Sequence, residues 1–479
     1  MNTPFPKPTQ IGRLHWEAKT VPDFMPSATV ETAEQFGPTA STPNLLFSGD
    51  NLRSIVHLLE NGFKDQVQLV YIDPPFCSGT NYKRTLRLRG EHSKKAPRGT
   101  EIGQQIQYTD EWSEDQYLQF CYERLLLLRS LLCDTGSLIL HVDEHMSHML
   151  RCIMDEVFGR EAFVNEIVWH YPDNFQGNVR GLANNHNLLF WYSKSRSYTA
   201  HSVKVPLKKP KKRDRRIWSK EEKKVVAARD ENGRIIYDTY THKKADDVWT
   251  IGQSSVSKIR SGEHVGYPTQ KPELLLQRIL QATTQPGDIV VDVFSGSGTT
   301  ASVAQKMGRR WICCDINPVS IQKTFQRTSD IIDQQNAVQN KGKTSGIEIQ
   351  KSDFKSIDVL RTDDHSVPVR KGSLTVEFNL TSTVLNIQIA GINCDSLFQD
   401  IGIEIEHWKQ VVDSIRIDPD YDGSVFRPVH WDKPREPDQV RGRYTVSKDA
   451  LGAVLAIRLI DVLGGEIFYQ KDLHQIGHK

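Results

Sequence analysis

Val290-Val291-Asp292-Val293-Phe294-Ser295-Gly296-Ser297-Gly298-Thr299-Thr300 decides the fold of this chain. An apolar, β-branched run feeds a glycine turn, and the turn opens a helix. Glycines at 296 and 298 are expected to let the backbone pass close to a ligand, where a Cβ would clash. With Ala301 the spacing also satisfies G-x-G-x-x-A, so the loop by itself leaves the nucleotide open: a nicotinamide dinucleotide fits the pattern too. An acid about twenty residues on, at the end of the next strand, would hold ribose hydroxyls in either case, and Asp315 is so placed. No Lys follows the second glycine, which disfavours a phosphate-cradling P-loop.

Outward from that loop the chain alternates between strand and helix. Leu45 to Phe47 reads as a short strand stopping at Ser48-Gly49-Asp50-Asn51. Leu52, Ile55, Val56 and Leu59 follow at helical spacing, and Val67 to Ile72 is a second apolar run. A loop is expected from Gly79 to Gly103 beside the site. A helix follows from Tyr117 to Leu132, then strands at Ser137–Val142 and Val164–Trp169 around a helix from about Glu144 to Phe158. After the run Asn187–Tyr192 the rhythm breaks, and it resumes with a helix from Pro272 to Thr283, the strand Ile289–Val293 and the strand Trp311–Ile316. This strand–helix–strand rhythm implies a parallel sheet covered on both faces, a Rossmann-like α/β fold.

Asp73-Pro74-Pro75-Phe76 follows directly on the strand Val67–Ile72. Two prolines remove two N–H donors and lock the backbone, leaving local carbonyls as acceptors. The Asp73 carboxylate and the Pro74 carbonyl can each accept from an NH2 group, and Phe76 can stack on the ring that carries it. An exocyclic amine is a poor nucleophile because its lone pair is delocalised into the ring. Two acceptors draw the nitrogen toward tetrahedral geometry and free that pair for in-line attack on a sulfonium methyl.

Composition sets the outer limits. The chain has 479 residues, too many for one ordinary core, with a formal net charge of only +2. Its seven cysteines form no C-x-x-C pair, which disfavours a zinc ribbon or a disulfide framework, and no metal is expected. His141-Val142-Asp143-Glu144-His145 matches a zinc-peptidase pattern but straddles a strand–helix boundary. No run approaches a membrane span, and the first residues lack the apolar stretch of a signal peptide, so a cytoplasmic protein without membrane contact is expected. Charge is concentrated: between Lys204 and Lys224 eleven Lys or Arg face three acids.

The two motifs, in this order and with an insertion between them, resemble the β-class DNA amino-methyltransferases, especially the modification subunits of type III restriction systems. Ser48-Gly49-Asp50-Asn51-Leu52, Tyr108-Thr109-Asp110-Glu111-Trp112 and Tyr267-Pro268-Thr269-Gln270-Lys271-Pro272 match the same family, over residues 44 to 328 apart from the insertion. The resemblance implies an S-adenosylmethionine-dependent methyltransferase fold with a small recognition insertion and a β-containing C-terminal domain. It implies that Phe294, Gly296, Gly298 and Thr299 border the methionine part of the cofactor, with Thr269, Asp292 and Thr300 beside them. Asp315 would hold the ribose, Asp50 the adenine amine and Lys271 the carboxylate. Asp73, Pro74, Pro75 and Phe76 would form the catalytic motif, and Asp at its first position favours adenine N6 over cytosine N4.

A base inside a duplex must be turned out of the stack to be reached. Trp169, His170 and Tyr171 are candidates for a second stacking wall. Lys208, Lys209, Lys211, Lys212, Arg213, Arg215 and Arg216 are expected to touch phosphates, with Trp218 and Tyr237 interleaved. The expected layout is an N-terminal arm (1–43), a catalytic half (44–195), the basic recognition insertion (196–245), a cofactor half (246–328), a linker (329–372) and a C-terminal domain (373–479) of unassigned role. The type III likeness implies duplex DNA as substrate, a homodimer and a separate restriction or helicase subunit. A nicotinamide-dependent oxidoreductase and a catalytically silent DNA-binding subunit are the rival readings. The first leaves the Asp73 motif unexplained, and intact motifs argue against the second.

Overall fold

The computed structural model describes residues 6–475 apart from short stretches, the longest being 91–100, 174–180, 257–262, 338–342, 364–368 and 398–404. Among the described residues ten strands form one central sheet: β1 (Val30–Phe36), β2 (Asn44–Ser48), β3 (Val67–Ile72), β4 (Leu132–Val142), β5 (Phe163–His170), β6 (His186–Ser193), β7 (Val248–Thr250), β8 (Ile289–Asp292), β9 (Arg310–Asp315) and β10 (Ile357–Thr362). Their order is β1-β10-β2-β9-β8-β3-β4-β6-β5-β7. From β10 to β4 all neighbours run parallel; β1 and β6 are antiparallel to theirs.

Alternation along the strands assigns side chains to two cores. Phe47, Val70, Ile72, Leu138 and Leu140 point to one face, where α1 (Asn51–Glu60), α2 (Glu114–Leu131) and α3 (Ser147–Phe158) pack. Leu46, Leu69, Tyr71 and Ile139 point to the other, covered by α4 (Glu273–Thr283), α5 (Thr299–Lys306) and α6 (Pro318–Ala337). This is the Rossmann-like architecture the apolar strands implied, and burial on both faces is why β3 shows no polar alternation.

Four expectations need correction. Residues 329–372 are not simply a linker: α6 runs on to Ala337, and β10 pairs parallel with β2 inside the central sheet. The N-terminal arm contributes β1, which pairs antiparallel with β10. Both have mixed polarity, VETAEQF at the sheet edge and IDVLRT between it and β2, so periodicity alone hides them. The stretch from Gly79 is not a loop throughout, because Asn81–Arg87 pairs with Glu101–Thr109 as a hairpin. Helix α3 begins at Ser147 rather than Glu144, after a turn in which Asp143 accepts from the His145 backbone N–H at 3.0 Å.

The hairpin docks on the C-terminal region. Arg84 donates to the Val462 carbonyl at 2.7 Å, Gln105 to that of Leu463 at 2.8 Å, and Arg89 pairs with buried Asp413. That region holds its own apolar core between a three-stranded and a four-stranded antiparallel sheet. The basic insertion folds as two ribbons, Lys204–Asp214 with Tyr237–Lys244 and Arg216–Ser219 with Lys224–Ala227.

Candidate active site

Register fixes the site. Val291 of β8 lies opposite Val70 of β3, and the two strands are parallel, so both chains leave the sheet side by side at their carboxyl ends. One carries Asp73-Pro74-Pro75-Phe76 and the other the glycine loop. Ligands in open α/β sheets bind in this crevice. A cavity of about 440 Å³ opens there, lined by Asp73, Pro74, Pro75 and Phe76 and by Asp50, Thr269, Lys271, Asp292, Phe294, Gly296, Thr299, Thr300 and Asp315.

Gly298 does not line the cavity. Its φ is +72°, and a Cβ there would meet Thr324 of α6, with Oγ1 at 2.4 Å and Cα at 2.8 Å. The second glycine therefore serves helix packing, where close approach to a ligand was expected. At Gly296, with φ +49°, an added Cβ would come no nearer than 3.6 Å, to the Tyr267 ring.

The loop is braced from below. Asp292 accepts from the Thr300 hydroxyl at 2.5 Å and the Phe294 N–H at 3.0 Å, and burial pushes its carboxyl up to about 7. Asp315 accepts from the N–H groups of Gly296 at 2.7 Å and Asn317 at 2.8 Å. Asp50 caps α1, taking the Leu52 and Arg53 N–H groups on one oxygen and Arg124 on the other. Its neighbour Asn51 donates to the Val293 carbonyl at 3.2 Å, tying the first strand–helix turn to the glycine loop.

The Asp73 loop is held by a carboxylate. Buried Asp110 accepts from the N–H groups of Phe76, Cys77 and Ser78 at 2.9 to 3.2 Å and from the Ser78 hydroxyl at 2.7 Å. Cys77 reaches that convergence with φ +57°, a conformation that costs a non-glycine residue about 1–2 kcal/mol and is retained here by the three bonds. Lys271 pairs with Asp73 Oδ2 and stands 5.6 Å from the centroid of Phe76.

Several residues beyond those expected from the sequence line the cavity. Trp112, Phe120, Gln107, Tyr71 and Tyr267 also face the cavity, and Phe120 packs edge-on to Phe294 at 5.9 Å. Trp112 and Tyr267 stand inside segments whose motif character was visible; Phe120 and Gln107 carried no such signal. Trp169 and Tyr171 are not a stacking wall: both are buried in the second core, and Trp169 donates to the Ile251 carbonyl at 2.9 Å. All seven predicted phosphate contacts are exposed on the insertion, but Arg215 is held by Asp238 at 2.7 Å and Arg216 by Asp214 at 2.9 Å.

Among the described residues the cavity combines aromatic walls, acids at 50, 73, 292 and 315, and one cation, Lys271. An acidic floor suits a sulfonium, and Lys271 suits a carboxylate. Asp73 Oδ1 and Ser295 Oγ are buried without a hydrogen-bond partner among the described residues. These features, with a volume in the range of small-molecule sites, fit S-adenosylmethionine.

Residues 67–326, more than half of the chain, match the family model described as DNA methylase, so the chain belongs to this N6/N4 DNA methylase family and its cofactor is S-adenosylmethionine. Over 334 residues it is 28% identical to the type II methyltransferase M.EcaI of Enterobacter cloacae, covering 60% of this chain and 69% of that one. DNA adenine methyltransferase YhdJ of Escherichia coli K12 is 25% identical over 306 residues, covering 61% and 84%. The type III restriction-modification enzyme StyLTI Mod subunit of Salmonella typhimurium LT2 is 24% identical over 353 residues. That match covers 59% of this chain and 54% of the Mod subunit, about half the relative's length. Among the described residues no helix is long and apolar enough to cross a membrane.

Proposed function

We propose that the protein methylates N6 of adenine at specific sites in duplex DNA, acting on a base turned out of the helix. One observation carries this reading: Asp73 to Phe76 and the glycine loop line a single cavity at the ends of adjacent parallel strands. The relatives' names, an adenine methyltransferase and a type III Mod subunit, support adenine and a restriction-modification setting. On this reading the partners are duplex DNA, a second copy of the chain and a separate restriction or helicase subunit.

When bound, S-adenosylmethionine supplies an electrophilic methyl group on sulfur. Phe294, Gly296, Thr299 and Thr300 border its amino-acid end, Lys271 and Thr269 meet its carboxylate, Asp315 its ribose and Asp50 its adenine. Asp73 Oδ2 and the Pro74 carbonyl accept the two N–H bonds of the target amine, Pro75 keeps that turn rigid, and Phe76 stacks on the base. Held this way the nitrogen's lone pair would be free to attack a sulfonium methyl bound beside it; as the N–C bond formed, the methyl's bond to sulfur would break with its electron pair left on sulfur, and Asp73 would take the amine's proton. Lys208, Lys209, Lys211, Lys212 and Arg213 touch phosphates, while the acid partners of Arg215 and Arg216 leave those two for a lesser share.

The test is nucleoside analysis of DNA incubated with the protein and methyl-labelled cofactor. Label in N6-methyladenine is expected, and none with Asp73→Ala at unchanged cofactor affinity. Label in N4-methylcytosine would move the substrate to cytosine, and transfer by Asp73→Ala would remove that carboxylate from the chemistry.

A further inference from the structure

Behind the Asp73 motif lies a buried chain of polar groups that the methyl-transfer scheme does not use. His141, on β4, has no exposed surface. Its Nδ1 is 3.0 Å from the Tyr71 hydroxyl and 3.3 Å from Asp73 Oδ1, the oxygen that has no hydrogen-bond partner among the described residues. Its Nε2 is 2.9 Å from Asn187 Nδ2. The Tyr171 hydroxyl donates to Asn187 Oδ1 at 2.9 Å, which turns the amide nitrogen toward the imidazole. Asn187 then donates to Nε2, and the ring proton resides on Nδ1, facing Tyr71 and Asp73. The same ring packs against Phe76 at 5.7 Å and against Trp169 at 5.4 Å.

We propose that His141 is a positioning residue for methyl transfer. It supports the Asp73 carboxylate and the Phe76 ring from beneath, so that Oδ2 is the oxygen presented to the target amine. The proposal rests on the catalytic role given to Asp73 above. Three features argue for it. First, His141 touches both motif side chains that must hold the base. Second, Oδ1 is buried against it, which leaves Oδ2 on the cavity side, where it meets Lys271. Third, partners on two other strands fix the ring. Burial lowers the His141 pKa to about 4 despite the neighbouring carboxylate, so the ring is neutral at working pH and does not neutralise Asp73.

Steady-state kinetics of His141→Leu, His141→Gln, Asn187→Ala and Asp73→Asn test this, with thermal stability measured alongside. His141→Leu is expected to lower kcat on the order of 10²-fold, with KM for DNA and cofactor affinity within about twofold of wild type. His141→Gln, which keeps a donor, should recover about tenfold of that loss, and Asn187→Ala should lower kcat about tenfold through the loosened ring. Wild-type kcat in a folded His141→Leu protein overturns the proposal. So does a loss that Gln fails to relieve and that follows stability alone. Should His141→Leu not fold, the Gln and Asn187→Ala variants decide by the same criterion: kcat reduced at unchanged KM supports the role, and unchanged kcat in both overturns it. Wild-type turnover by Asp73→Asn would instead overturn the catalytic reading of the site itself.

Discussion

Asp292 ends β8 beneath the cavity, close enough to Asp73 and Asp315 for both carboxylates to raise its pKa beyond what burial does alone. An acid held near 7 when folded and near 3.8 when unfolded keeps its proton in the native state across that interval. The native state then binds more protons than the unfolded chain, so stability falls as pH rises from about 4 to 7 and levels off above. Asp292→Asn can keep both hydrogen bonds, since an amide oxygen accepts from Phe294 and the amide N–H donates to Thr300. This variant is expected to lose the downward slope and to be more stable than wild type at about pH 8, by urea midpoints across the range. Parallel profiles for the two proteins would contradict it. At this scale the sequence was legible where chemistry is contiguous, as in Asp73 to Phe76. It was silent on His141 and on what Asp110 does, because both act through residues from other strands and turns.

The glycine loop and α5 form the element on which the cofactor half turns. Gly298 opens α5 in a left-handed conformation, with its α-carbon pressed toward Thr324 of α6. Gly298→Ala adds a strained φ and a clash with backbone that cannot yield. We expect a loss of roughly 2–4 kcal/mol in unfolding free energy and weaker cofactor binding. Stability equal to wild type would show that α6 can move aside. Strands β3 and β8 were readable from their mostly apolar runs, because both faces are buried. Strands β1 and β10 were not: their polar residues, such as buried Glu34 and Thr362, interrupt the apolar pattern, and only tertiary pairing defines them. The hairpin after Gly79 was hidden likewise, its buried Arg84 finding its acceptor in the C-terminal region.

Across the whole molecule, a nearly neutral chain gathers exposed cations on the ribbon Lys204–Asp214. If this ribbon touches phosphates, replacing Lys208, Lys209, Lys211, Lys212 and Arg213 with Gln should weaken DNA binding at all sequences. It should also reduce the slope of log affinity against log salt by about 0.9 for each phosphate left without its cation, with cofactor affinity unchanged. An unchanged slope would move the DNA to another surface. The order of motifs in the chain revealed the overall plan, whereas the docking of the C-terminal region through Arg84, Arg89 and Gln105 could be read only from the pairing of segments far apart in sequence. The central claim is that the carboxylate of Asp73 and the glycine loop serve one methyl transfer. Its most direct test is a crystal structure of the protein with S-adenosylhomocysteine and a short duplex carrying the methylated site. An everted adenine is expected, with N6 within hydrogen-bond reach of Asp73 Oδ2 and about 3–3.5 Å from where the transferable methyl would sit. Cofactor bound on a face from which no base amine can reach Asp73 would contradict it.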